Sequence, residues 1–214
     1  MATTKVDSVL LDTTGTASSS TFLRGDGAWA EPSGGAWTLI GTQVADDSGS
    51  TLTQTGLSST YDTYAIALSD CHPATDSVGA EFRLGDSSGI DSGASDYGWS
   101  SFVYQINNTT AGSIGSEDSA DDSIVIGTNN VNCNIGNAAG EGMGGMFYLH
   151  TPSDGQIYPI IDGRFTVVES GSQINSGRMA GVRWSAIAID RIQFFFDSGN
   201  IVSGRMTVWG LAHA

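Results

Sequence analysis

Positive charge is what this chain has least of. Only 14% of its 214 residues are charged, and Lys and Arg together number 8, Lys5 being the single lysine, against 23 Asp and Glu, for a formal net charge of −15. Binding to a phosphate backbone draws on clustered Lys and Arg that release counterions, so nucleic acid is excluded as a partner, and an anionic membrane surface is disfavoured for the same reason. Cysteine is nearly absent as well. Cys71 and Cys133 could pair, but two cysteines make no disulfide framework, and they are read as buried free thiols. No apolar run approaches the ~18 residues of a membrane-spanning helix. The N-terminal MATTKVDSVLL lacks the apolar stretch of a signal peptide, which predicts a chain made and folded in the cytoplasm. No apolar pattern at helical period extends beyond two turns, which argues against helices.

Signatures of chemistry are equally sparse. His72, His150 and His213 are the only histidines, none at zinc-ligand spacing from a Cys or another His, and no G-x-S-x-G elbow occurs. No catalytic residue, metal ligand or cofactor is therefore expected, and the chain reads as non-enzymatic. Carboxylates concentrate at Asp86 to Asp91 and at Glu117 to Asp122, without the spacing of a calcium loop. They read as solvated turn residues, with a calcium site as the lesser alternative.

What is abundant is glycine, 29 residues, set among small uncharged side chains, a composition that suits many short strands and tight turns. Alternating segments at 37–45, 61–69, 77–84, 97–106, 123–135, 143–150, 157–168 and 178–189, followed by a terminal pair at 191–196 and 205–211, predict nine or ten strands. A polar loop is expected over 107–122. The fold class that follows is all-β, an antiparallel two-sheet jelly-roll-like sandwich. The terminal pair reads as a hairpin joined through Asp197-Ser198-Gly199-Asn200. Ile192, Phe194, Phe196, Met206 and Val208 would fill its apolar face, leaving Phe195 and Trp209 on the other, where a neighbouring subunit would cover them.

Residues 1–35 stand apart from 36–214. They hold too few apolar residues for a core, so they read as an extended N-terminal attachment arm, able to reach on the order of 100 Å at ~3.3 Å per residue. Its anchoring residues would be Val9, Leu10, Leu11, Phe22, Leu23 and Trp29. The tripeptide Arg24-Gly25-Asp26 matches an integrin motif, but followed by Gly27 it reads more simply as a turn.

The segment SSSTFLRGDGAW (18–29) resembles one that recurs in tail-fibre proteins of tailed bacteriophages. TYDTYAIALSD (60–70), IGNAAGEGMGG (135–145) and QFFFDSGNIVSGRMTVWGL (193–211) are similar to virion-surface jelly rolls of the same phages. The resemblance implies a homotrimer on the virion surface, attached to other virion proteins through residues 1–35. A short arm followed at once by a sandwich, without a fibre shaft, implies a capsid decoration (cement) protein or short head fibre, whose many arms would sum weak contacts into avidity. The alternative is a tail-fibre receptor-binding protein whose Tyr97 and Trp99 contact a host surface glycan. A glycan-binding module outside any virion is the third reading.

Overall fold

A computed structural model of the chain describes residues 14–30, 36–107, 110–127, 133–171 and 173–212, and every regular element among them is a β-strand. In chain order these are β1 (Phe22–Leu23), β2 (Trp29–Ala30), β3 (Trp37–Val44), β4 (Thr51–Thr55) and β5 (Thr63–Pro73). Then come β6 (Ala80–Asp86), β7 (Gly89–Ile90), β8 (Tyr97–Asn107), β9 (Thr110–Asp121) and β10 (Ile124–Ile126). The last five are β11 (Gly142–His150), β12 (Ile160–Glu169), β13 (Gln173–Arg183), β14 (Arg191–Phe196) and β15 (Ile201–Leu211). The chain divides into two compact units, Met1–Gly35 and Ala36–Ala214.

In the first unit, residues 14–30 close on themselves instead of running as bare extended chain. β1 and β2 pair antiparallel around Arg24-Gly25-Asp26-Gly27. The Gly27 N–H donates to the Arg24 carbonyl at 3.0 Å, the Ala28 N–H donates to Asp26 Oδ1 at 3.1 Å, and Gly27 takes a φ of 83°. Positive φ at the residue closing a turn is where glycine carries no steric cost, so this tetrapeptide is a turn by its own chemistry. Thr14 bridges to Ala28 as a third partner. Phe22 and Leu23 lie exposed, and Trp29 is half-buried. Val9, Leu10 and Leu11 lie outside the described residues.

The second unit is a sandwich of two antiparallel sheets of the jelly-roll kind. An eight-stranded sheet runs in the order β3-β15-β5-β11-β12-β13-β8-β9, and a five-stranded sheet runs β10-β6-β14-β4, with β7 on β6. Their inner faces meet in one core. Phe82 and Phe194 of the small sheet pack edge-on at 5.8 Å, and Phe82 meets Phe147 of the large sheet at 4.9 Å between ring centroids. All three are fully buried.

The terminal hairpin does not form. β14 pairs with β4 and β6 in the small sheet, while β15, which begins at Ile201 rather than 205, pairs with β3 and β5 in the large one. Both strands carry an apolar face. Placed in opposite sheets, those faces bury each other across the ~10 Å between layers, a gap that four residues of connection can span. Phe195 and Trp209 consequently sit on the outsides of different sheets, not together on one face.

Two further expectations change. The stretch read as a polar loop holds β9, paired along its length with β8. Its small polar residues carry no apolar alternation in sequence, with Ile114 the one large apolar side chain, and Glu117 and Asp118 suit an edge that must not pair further. Among the described residues of 123–135, Ile124–Ile126 is the strand. β4, with Leu52 and Gln54 turned inward, was not anticipated because a five-residue polar segment carries too little pattern.

Candidate functional site

The inner face of the large sheet sets up its outer one. Cross-strand register places Phe147 opposite Gly163, and Phe165 opposite both Gly145 and Gly177. A Cβ at Gly145 would stand 2.8 Å from the Phe147 ring, and one at Gly177 would stand 2.6 Å from the Phe165 ring. Each ring thus occupies the space that neighbouring side chains would have taken. Gly145, Gly163 and Gly177 are each followed by an outward residue, Met146, Arg164 and Arg178, so this alternation of ring and glycine lets β11, β12 and β13 lie close and projects those three side chains in one row.

That row continues across β8: Met146, Arg164, Arg178 and Phe102 are register partners in turn. The next row is Tyr148, Asp162, Ala180 and Ser100. Small side chains in the second row leave a groove of about 750 Å3 beside the first. Phe102 is 53% exposed at one end, and Met146 and Tyr148 are half-buried at the other. Asp162 Oδ1 lies 2.7 Å from His150 Nε2, and it is the carboxylate that lines the groove. No Ser, Thr or Cys is hydrogen-bonded to His150 among the described residues, so the pair forms no nucleophile triad there.

The electrostatics of the groove are unlike those of the rest of the chain. Arg24, Arg83, Arg183 and Arg191 each hold an Asp. Arg164 and Arg178 form no ion pair among the described residues, although they are register partners on adjacent strands and the chain carries 23 acidic residues. Like charges opposite one another in a sheet are destabilising, by up to ~1 kcal/mol. Arg205, on β15 of the same sheet, likewise has no ion pair among the described residues. Comparison with family models, curated proteins and solved structures returns no match to this chain. The geometry of the site therefore stands alone.

Beside the groove, sharing Ser100 and Ala180 with it, lies an apolar notch of about 520 Å3 lined by Ile157, Tyr158, Ile160, Val182 and Trp184. The Trp184 indole covers Gly98, where a Cβ would come within 2.7 Å of it. Its Nε1–H donates to the Ser119 carbonyl at 3.0 Å, and Tyr158 meets it edge-on at 5.8 Å. Glycine at 98 is what leaves room for the indole there.

Tyr97 and Trp99 are not exposed glycan contacts. Both are buried, because β8 turns its odd-numbered side chains toward the core. On the side of β6 away from β14, the ladder breaks at Leu84, between the end of β10 opposite Phe82 and the start of β7 opposite Gly85. The Tyr97 hydroxyl fills that gap. It accepts from the Leu84 N–H at 2.9 Å and lies 2.9 Å and 3.0 Å from the Leu84 and Asp91 carbonyls, to which it can donate. Burial accordingly pushes the Tyr97 phenol well above its ordinary value. Trp99 Nε1–H donates to Asp121 Oδ2 at 2.9 Å. Arg183 stands over the Tyr97 ring and ties Asp91 at 2.9 Å and Asp96 at 3.3 Å.

Of the expected interface residues, Phe195 is half-buried beneath the Arg83 guanidinium, 4.5 Å from its ring centre. Trp209 is half-buried with Trp37 edge-on at 5.9 Å. Trp37, Leu39 and Val44 along the edge strand β3 are exposed, Val44 to 67%. The carboxylates singled out as loop residues do structural work: Asp86 Oδ1 accepts from the Ser88 N–H and hydroxyl at 2.7 Å and 2.6 Å, and Asp91 pairs with Arg183. Among the described residues no three His, Cys, Asp or Glu converge as a metal site, and no helix is long and apolar enough to cross a membrane. Sequence reasoning did not single out Arg164, Arg178 or Phe102. The available signal was two arginines at outward positions of alternating strands, in a chain that spends very few.

Proposed function

We propose that this chain is a non-enzymatic structural protein of a tailed-phage virion. It is displayed on the particle surface as a homotrimer and attached to other virion proteins through residues 1–35, as capsid decoration or a short head fibre. The observation that carries this reading is the division of the chain at Gly35: a small N-terminal unit whose hairpin leaves Phe22 and Leu23 unburied precedes a self-sufficient sandwich. Apolar residues on a unit too small for its own core gain burial from a partner. The likeness of 18–29 to tail-fibre segments names the kind of partner. Subunit contact is proposed along β3, where Trp37, Leu39 and Val44 extend the Trp209 patch on an edge strand that is open to pairing. The ring face of Phe195 is already occupied by Arg83.

The test is attachment and copy number. Deleting 1–35 is expected to remove the protein from particles while leaving the sandwich folded and trimeric. A truncated protein that stays on particles sinks the role given to those residues. Copies per virion in the hundreds, relative to the major capsid protein, support decoration.

A second reading, the receptor-binding tip of a tail fibre, is favoured by the open arginine and aromatic groove on β11, β12, β13 and β8. It predicts copies in single or double digits.

A further inference from the structure

We propose that the groove across β11, β12, β13 and β8 binds an acidic saccharide, one whose sugar residues carry carboxylates spaced by neutral sugars. The inference goes beyond where the protein sits on a particle and rests only on the groove.

Three observations converge on it. Arg164 and Arg178 are register partners with no carboxylate on either among the described residues, on a chain of net charge −15 whose arginines elsewhere on that unit, Arg205 apart, hold an aspartate. Like charges on register partners repel, an anion between them relieves that repulsion, and a carboxylate matches the guanidinium fork. The row containing them ends in the open ring of Phe102, and Tyr148 closes the far side of the next row. An apolar ring face beside convergent polar groups suits a ligand with both a flat apolar face and hydroxyls. The Asp162–His150 pair and Ser100 offer those hydroxyls an acceptor and donors.

The setting excludes other anions. β12 and β13 are paired on both sides and so is β8, so no backbone edge is free to take an extended peptide as an added strand. A densely charged polyanion would meet the field of a strongly acidic protein before reaching two arginines. Widely spaced carboxylates on a neutral chain avoid that repulsion. The β3 patch proposed for subunit contact lies three to four strands away from β12, on the order of 15–20 Å at ~4.8 Å per strand, so the groove can stay open in the assembly.

The experiment uses the full chain and a tetrasaccharide alternating glucuronate with N-acetylglucosamine, titrated by calorimetry or NMR beside its carboxyl-reduced neutral form and an oligoglutamate of equal charge. Saturable binding of the acidic tetrasaccharide alone is expected, weakened at least about tenfold by the R164Q/R178Q double substitution and unchanged by R205Q, which lies off the groove. Both substituted arginines are on the surface, and removing their mutual repulsion is expected to keep or raise the ligand-free melting temperature. Saturating tetrasaccharide should then raise the melting temperature of the unsubstituted chain and not that of R164Q/R178Q. Equal binding of the neutral form, tighter binding of oligoglutamate, no binding at all, or full binding by R164Q/R178Q overturns the assignment. Conversion of the assembly to monomers by F102A or R178Q also overturns it, and would make this face a contact between copies. Since binding is read on purified protein, its failure leaves the deletion test of residues 1–35 untouched, and the reverse holds too.

Discussion

Tyr97→Phe removes one oxygen atom and keeps the ring, which makes it a sharp test of how the two sheets are tied. The hydroxyl is buried and is the partner of the Leu84 N–H, in the Arg83–Leu84 stretch of β6 that neither β10 nor β7 reaches. Without it, that N–H is left in the core without its acceptor. A buried donor stripped of its partner costs about 1–3 kcal/mol, and the two carbonyls within reach of the hydroxyl lose less, because the Leu84 carbonyl also accepts from the Asp91 N–H at 2.9 Å. A total of about 2–3 kcal/mol follows. For a chain of this size that is a fall in melting temperature on the order of 4–12 °C. Guanidinium denaturation should show the midpoint moving with an unchanged slope, since neither end state changes its exposed area. Tyr104→Phe, at an exposed position of the same strand, is the control and should cost under about 0.5 kcal/mol. A Tyr97→Phe protein as stable as the parent would show that the hydroxyl is not what satisfies β6. Loss of saccharide binding in a folded Tyr97→Phe protein would return this residue to the ligand site.

Other outcomes follow from the same packing. Gly163→Ala would bring a Cβ to 2.6 Å from the Met146 carbonyl and 2.8 Å from Phe147 Cα as well as into the Phe147 ring, so β11 and β12 must part; a loss of about 2 kcal/mol in chemical denaturation is expected, with no effect meaning the strands have slack. Burial pushes the Cys71 thiol up to about 12, and Cys133 is buried too, so a thiol reagent at pH 8 should label neither in the folded protein and both after unfolding. Burial also raises the Glu81 carboxyl above its ordinary 4.5, against the hydrogen bond from Ser123. A raised folded value means the native state holds that proton more tightly than the unfolded chain. Its favourable contribution is complete below the unfolded value and is lost as pH rises through the folded one. Glu81→Gln should therefore gain stability at pH 7 and little near pH 4, and equal effects at both would remove burial as the cause.

Composition and alternation were enough for the class of fold. Scarce charge, abundant glycine and apolar residues at every second position of segments such as 77–84 and 143–150 dictate strands with one buried face, and two such faces can bury only each other. The Arg-Gly-Asp-Gly turn was legible for a similar reason, since the φ of Gly27 is a property of four residues. The partners of each strand were not legible. Whether β14 pairs with β15 or faces it across the core depends on where β4, β5 and β6 lie, and no local pattern records that. β9 went unseen because an edge strand of small polar residues is held by backbone alone. Tyr97 and Trp99 on an alternating strand suited either core packing or a glycan contact, and only the register turned them inward. The groove depends on register most of all: Arg164 and Arg178 are fourteen positions apart along the chain, and only the pairing of β12 with β13 sets one against the other.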